Sequence, residues 1–87
     1  EALAAPAKAY CRASSALIEA VIHATRVKEF TRLSQHDAAR DHRELMSGYL
    51  RIVQRVAPES AYSAAAAELR SLVEHWGLDA DQGKGAA

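Results

Sequence analysis

Between Pro6 and Gly77 only Gly48 and Pro58 interrupt a chain otherwise rich in Ala, Leu, Arg and Glu. These are residues that lose little on entering a helix. Apolar residues recur there at three- and four-residue steps, and no alternating pattern of the kind strands require stands out. The reading is therefore all-α: a three-helix antiparallel bundle with a long first helix and a disordered C-terminal tail. At 87 residues the chain has room for one domain, placed at residues 1–78, with residues 79–87 as the tail.

The first helix is expected from about Ala7 to Leu33, because Pro6 suits a first turn in which its missing N–H is not needed. On a helical wheel of about 100° per residue, Leu3, Tyr10, Cys11, Ser14, Leu17, Ile18, Val21, Ile22 and Thr25 share one side. Lys8, Arg12, Glu19, His23 and Arg26 share the other, so the first group is expected to face the core. Phe30 falls on the charged side, where it either contacts another element or marks a bend. The second helix is expected from Ser34, which with Asp37 resembles a capping box, to about Val56. Ala38, His42, Leu45, Tyr49, Ile52 and Val56 form its seam. The third is expected to open at Pro58-Glu59, with Tyr62, Ala65, Leu69, Leu72 and Trp76 as its seam and Gly77 as its C-cap. The short link at Ala57-Pro58 points to a hairpin of the second and third helices packed on the first.

Composition narrows the function. Lys plus Arg and Asp plus Glu number 11 each, so the chain lacks the basic excess that phosphate backbones select for. No apolar run reaches the length of a membrane span. A single cysteine cannot form an internal disulfide. The opening segment has no basic stretch followed by an apolar one, as a secretory leader would. These features imply a cytoplasmic protein with no membrane or nucleic-acid partner. The missing initiator Met is expected to reflect processing or a longer parent. Much of the apolar content is alanine, so the core is modest and further burial against a partner is expected.

Few residues suggest chemistry. His42 points into the apolar arc of the second helix and reads either as an acid/base or ligand group or as a packed, hydrogen-bonded core histidine. Glu19 and His23 lie one helical turn apart, the spacing of a surface pair. His36, Asp37, Asp41 and His42 resemble a metal cluster only when read linearly, since His42 points away from Asp41; no metal site is expected. Cys11, with only Arg12 beside it, reads as a buried inert thiol. No serine has a nucleophile-elbow context and no glycine-rich phosphate loop is present. The expected catalytic, cofactor-binding and metal residues are therefore none. Tyr49, Tyr62, Leu69, Leu72 and Trp76 are the expected core or interface anchors, and His42 is the one weak functional candidate.

Two stretches carry a resemblance. The first is Arg12–Arg26, of the form RAxxAxIEAxIxATR. The second is Tyr49–Glu59, followed by a helix with an LxxxVE pattern at Leu69–Glu74. They resemble the C-terminal helical region of the domain-of-unknown-function 447 family across most of residues 10–75. The resemblance implies a parent with a flavin-binding split barrel ahead of this region, linked to tetrahydromethanopterin-dependent one-carbon metabolism. FMN would then be held outside these residues, and no FMN-binding role carries over to any of them. Two departures stand out: Arg55-Val-Ala-Pro58 replaces the family's Lys-Thr-Ala-Gly-Pro run, and the segment between the first two helices is longer than expected.

The reading that follows is a non-catalytic helical accessory domain that packs against a second copy or a neighbouring domain, as in an FMN-binding flavoprotein. The alternative is a small ligand-binding or enzymatic domain using His42 with Glu19, His23 or Asp41. A nucleic-acid role for Arg40, Arg43, Arg51 and Arg55 ranks last, because Asp37, Asp41 and Glu44 on the same helix cancel much of their field.

Overall fold

The computed structural model describes the backbone of residues 4–86 and the side-chain surroundings of residues 7–76. Three helices follow one another: α1 (Ala4–Arg32), α2 (His36–Val56) and α3 (Ala61–Ala86). Among the described residues there is no strand. Ring contacts fix the directions. Phe30 and His23 of α1 meet His42 and Tyr49 of α2, so these two helices run antiparallel. Tyr10 meets Tyr62 and Lys28 lies over Trp76, so α1 and α3 run parallel. The topology is up-down-up. α3 continues past Gly77, which therefore does not end it; the tail expected at 79–87 lies outside the residues whose side chains are described.

The core is built from small side chains. On α1 the buried positions are Ala13, Ala16, Ala20, Ala24 and Val27. Opposite them α2 supplies Ala39, Met46, Leu50 and Val53, followed by Ala57, and α3 supplies Ala66 and Val73. Steps of three, four or seven residues give each helix one inward stripe. This corrects the expected orientation of α1. Tyr10, Cys11, Ile18, Val21, Ile22 and Thr25, expected in the core, are exposed, and α1 turns its alanines inward instead. The reason is steric. Methyl side chains let helix axes approach more closely than branched ones, so the alanine stripe makes the denser contact with α2. Accordingly α1 packs most extensively on α2, not α2 on α3 as the short link suggested.

The expected seams of α2 and α3 are displaced in the same sense. Ala38, His42, Tyr49, Ile52 and Val56 are half-buried on the flank of α2, and Leu45 is exposed. Tyr62, Ala65, Leu69 and Trp76 are half-buried along α3, and Leu72 is exposed.

The turns differ from expectation too. Ser34 does not cap α2: its φ is 60° and α2 has no side-chain cap. Instead it ends α1. The Ser34 N–H donates to the Thr31 carbonyl (3.0 Å) and the Gln35 N–H to the Phe30 carbonyl (2.8 Å). That pair is the Schellman pattern, with Ser34 in the left-handed position usually held by glycine. At the next turn Ser60, rather than Pro58, opens α3. Its Oγ accepts the Ser63 N–H at 3.3 Å and donates to the Ala57 carbonyl at 2.8 Å.

Candidate functional site

Two features stand apart from the core. The first is the outer face of α1. The inward alanine stripe forces the bulkier apolar residues to the opposite side of the helix, because both groups recur at helical spacing but about half a turn apart. Ile18, Val21 and Ile22 are between 42% and 58% exposed, whereas Tyr10 lies toward α3 against Tyr62. Cys11, Ser14 and Thr25 continue the stripe without a charge, and Cys11 is exposed rather than buried as expected. Thr25 donates its hydroxyl back onto the Val21 and Ile22 carbonyls (2.7 and 2.9 Å), which satisfies its polar group within α1. Isolated exposed apolar residues are ordinary on a protein surface; a contiguous stripe is not.

The second is a row of rings between α1 and α2. His23 Nδ1 lies 2.9 Å from His42 Nδ1. The ring centroids are 5.1 Å apart, so the rings meet nearly head-on at their Nδ1 atoms. One ring donates its Nδ1–H and the other accepts, which requires opposite tautomers in two neutral imidazoles. Lone pairs directed at each other in this way suit a shared proton better than a common metal ion, which needs them to converge on a third point. Tyr49 packs on His23 at 5.7 Å and Phe30 on His42 at 5.4 Å, so both imidazoles are held in place. Phe30 thus makes the contact with another element that its place on the charged side suggested, without a break in α1.

The remaining sequence candidates are dispersed. Glu19, His36, Asp37 and Asp41 are exposed. Asp37 pairs with Arg40 at 3.6 Å across the surface of α2. Among the described residues no three His, Cys, Asp or Glu side chains gather at one point, and no helix is long and apolar enough to cross a membrane. An open groove of about 380 Å³ runs between α1 and α2 beside Cys11, Arg12, Ser15, Glu19, Tyr49 and Ile52. Its cation and anion offset each other, and among the described residues no polar side chain is buried. These residues do not fit an FMN, whose phosphate and ring edge need several converging donors.

The sequence match covers α1 from Cys11 onward, all of α2 and the first part of α3. Residues 11–71 match the family described as protein of unknown function (DUF447), in its C-terminal domain. The chain belongs to this family. The DUF447 C-terminal domain is thus an all-α unit here, with the outer face of α1 and the His23–His42 contact both inside the matched span. No curated protein and no solved structure matches the chain.

Among the anchor residues, Tyr49 touches His23, Tyr62 touches Tyr10, and Trp76 lies under the Lys28 ammonium at 5.2 Å. Leu69 packs against the core and Leu72 does not. Sequence reasoning singled out His42 and named His23 as one of three possible partners, with Glu19 and Asp41; of these the structure brings His23 to it. His23 lies 19 residues away on another helix, so no spacing within one helix could choose it over Glu19 or Asp41.

Proposed function

We propose that this DUF447 C-terminal domain is a non-catalytic docking module that packs the outer face of α1 against a protein partner, either a second copy or a neighbouring domain of a larger flavoprotein. The observation that carries the reading is the inversion of α1: alanines inward, Ile18, Val21 and Ile22 outward. Water contact with those side chains is unfavourable by about 25 cal/mol per Å² of apolar area, and a partner removes it.

The test is association of the full chain with itself and with a barrel domain from a family member, measured by light scattering and native mass spectrometry. A Val21→Glu, Ile22→Glu double variant is expected to lose association while keeping its helical circular dichroism. A wild-type chain that binds neither partner, or a variant that associates as tightly as wild type, refutes the reading.

A second reading uses the His23–His42 contact as the centre of a small-ligand site. It expects His42→Gln to abolish ligand binding without loss of fold. A variant that is only destabilised leaves the contact as a tie between α1 and α2.

A further inference from the structure

We infer that the groove between α2 and α3 binds a small phosphate monoester, held by Arg43, Arg51 and Arg70. α2 and α3 make the sparsest of the three helix contacts, and a groove of about 320 Å³ opens between them. Arg43, Ser47 and Arg51 line it at four-residue steps along α2, and Arg70 and Glu74 stand one turn apart on α3. No residue of α1 lines this groove, so the site is independent of the α1 outer face.

The three guanidiniums share the groove without a counter-ion. Among the described residues none of them makes an ion pair or a side-chain hydrogen bond, whereas Arg32 and Arg40 each take a carboxylate on their own helix. Glu74 is the one carboxylate in the lining, and Glu44 stands outside it. The groove thus carries an excess of two positive charges in a chain whose formal net charge is zero. Cations gathered in this way repel one another, and an anion between them turns that repulsion into attraction.

Donor chemistry selects the anion. Each guanidinium offers a planar fork of N–H donors, so three of them offer more than the two oxygens of a carboxylate accept. A phosphate monoester presents three oxygens and about two negative charges at neutral pH, which matches both the donors and the charge excess. Ser47 adds a hydroxyl between Arg43 and Arg51. Met46 and Val73 form the floor, and both are buried in the core, so the floor is apolar and fixed. It suits the carbon body of an ester better than the free inorganic ion. The volume is that of a small-ligand site. Asp37, Asp41 and Glu44 elsewhere on α2 interrupt the basic track that a nucleic acid needs.

The test is titration of the full chain with phenyl phosphate at fixed ionic strength, read by calorimetry and by amide shifts in NMR. Saturable one-to-one binding is expected, with a dissociation constant of about 1 mM or lower and shifts clustered at residues 43–51 and 70–74. Inorganic phosphate is expected to bind about tenfold more weakly, for want of contact with the floor. Arg51→Gln and Arg70→Gln are each expected to lower affinity about tenfold or more, since each removes charged hydrogen bonds. Glu74→Gln is expected to raise affinity several-fold by removing a like charge. Arg12→Gln, in the groove between α1 and α2, is expected to leave it unchanged. Helical circular dichroism checks that each variant folds. No saturable binding of phenyl phosphate overturns the proposal. So does binding that survives the Arg51→Gln, Arg70→Gln double variant, or benzoate binding as tightly as phenyl phosphate. An oligonucleotide that binds more tightly than phenyl phosphate and displaces it marks a nucleic-acid surface and likewise overturns it.

Discussion

Replacing Ile18 with alanine separates the two possible orientations of α1. Ile18 is 58% exposed, so less than half of the about 1.5–3 kcal/mol of a fully buried isoleucine is realised, or about 0.6–1.3 kcal/mol. Alanine returns several tenths of this through its higher helix propensity. The expected cost of Ile18→Ala to the monomer is therefore at most about 1 kcal/mol. Leu50 is fully buried, and Leu50→Ala is expected to cost about 2–5 kcal/mol. Ala20 is also fully buried, against α2. Ala20→Leu forces branched carbons into a methyl-sized space and is expected to cost about 1–3 kcal/mol. The assay is urea unfolding followed by circular dichroism at low micromolar concentration, where self-association contributes little. If α1 instead packed through its bulkier residues, Ile18→Ala would cost as much as Leu50→Ala and Ala20→Leu would be neutral. That outcome would falsify the alanine-inward orientation.

Further outcomes follow from the turns and the ring row. Ser34→Gly relieves a left-handed backbone position and is expected to stabilise the chain by up to about 1 kcal/mol, read as a higher urea midpoint; an unchanged or lower midpoint counts against the Schellman geometry. His23→Phe and His42→Phe each remove one side of a hydrogen bond and are expected to cost about 0.5–1.5 kcal/mol. The double variant should cost less than their sum, and additivity in that cycle would show that the imidazoles do not interact. The Arg32 guanidinium, hydrogen-bonded to Glu29, holds the Glu29 carboxyl below its usual range. A lowered folded-state value places this stabilisation above the unfolded carboxylate value, and it fades as pH falls through the folded one. Both side chains are more than half exposed, so water screens the pair and Glu29→Gln at neutral pH should leave the urea midpoint unchanged.

The three helices were legible because their signals are local. Pro58 lies between two amphipathic segments, and the apolar spacing has a helical period on either side of it. The faces were not legible on α1, where hydropathy gives Ile18, Val21 and Ile22 more weight than Ala13, Ala16, Ala20 and Ala24. Depth of burial there is decided by how closely two axes can approach, a property of residue pairs on different helices. Ser34 was misassigned because a serine before an acidic residue fits a helix start as well as it fits the end of the preceding helix. The backbone hydrogen bonds that decide between them depend on φ at that one residue. His42 was visible as an oddity within an apolar arc, but its partner on α1 follows from the antiparallel register of two helices, which no spacing within either one encodes.

The alanine-lined interior also has a calorimetric consequence. Heat capacity of unfolding rises with the apolar area newly exposed, and methyl groups between close helix axes hide little of it. A bundle held this way should therefore show a shallow dependence of stability on temperature. Its midpoint would shift widely for small changes in free energy, because the curve crosses zero at a low slope.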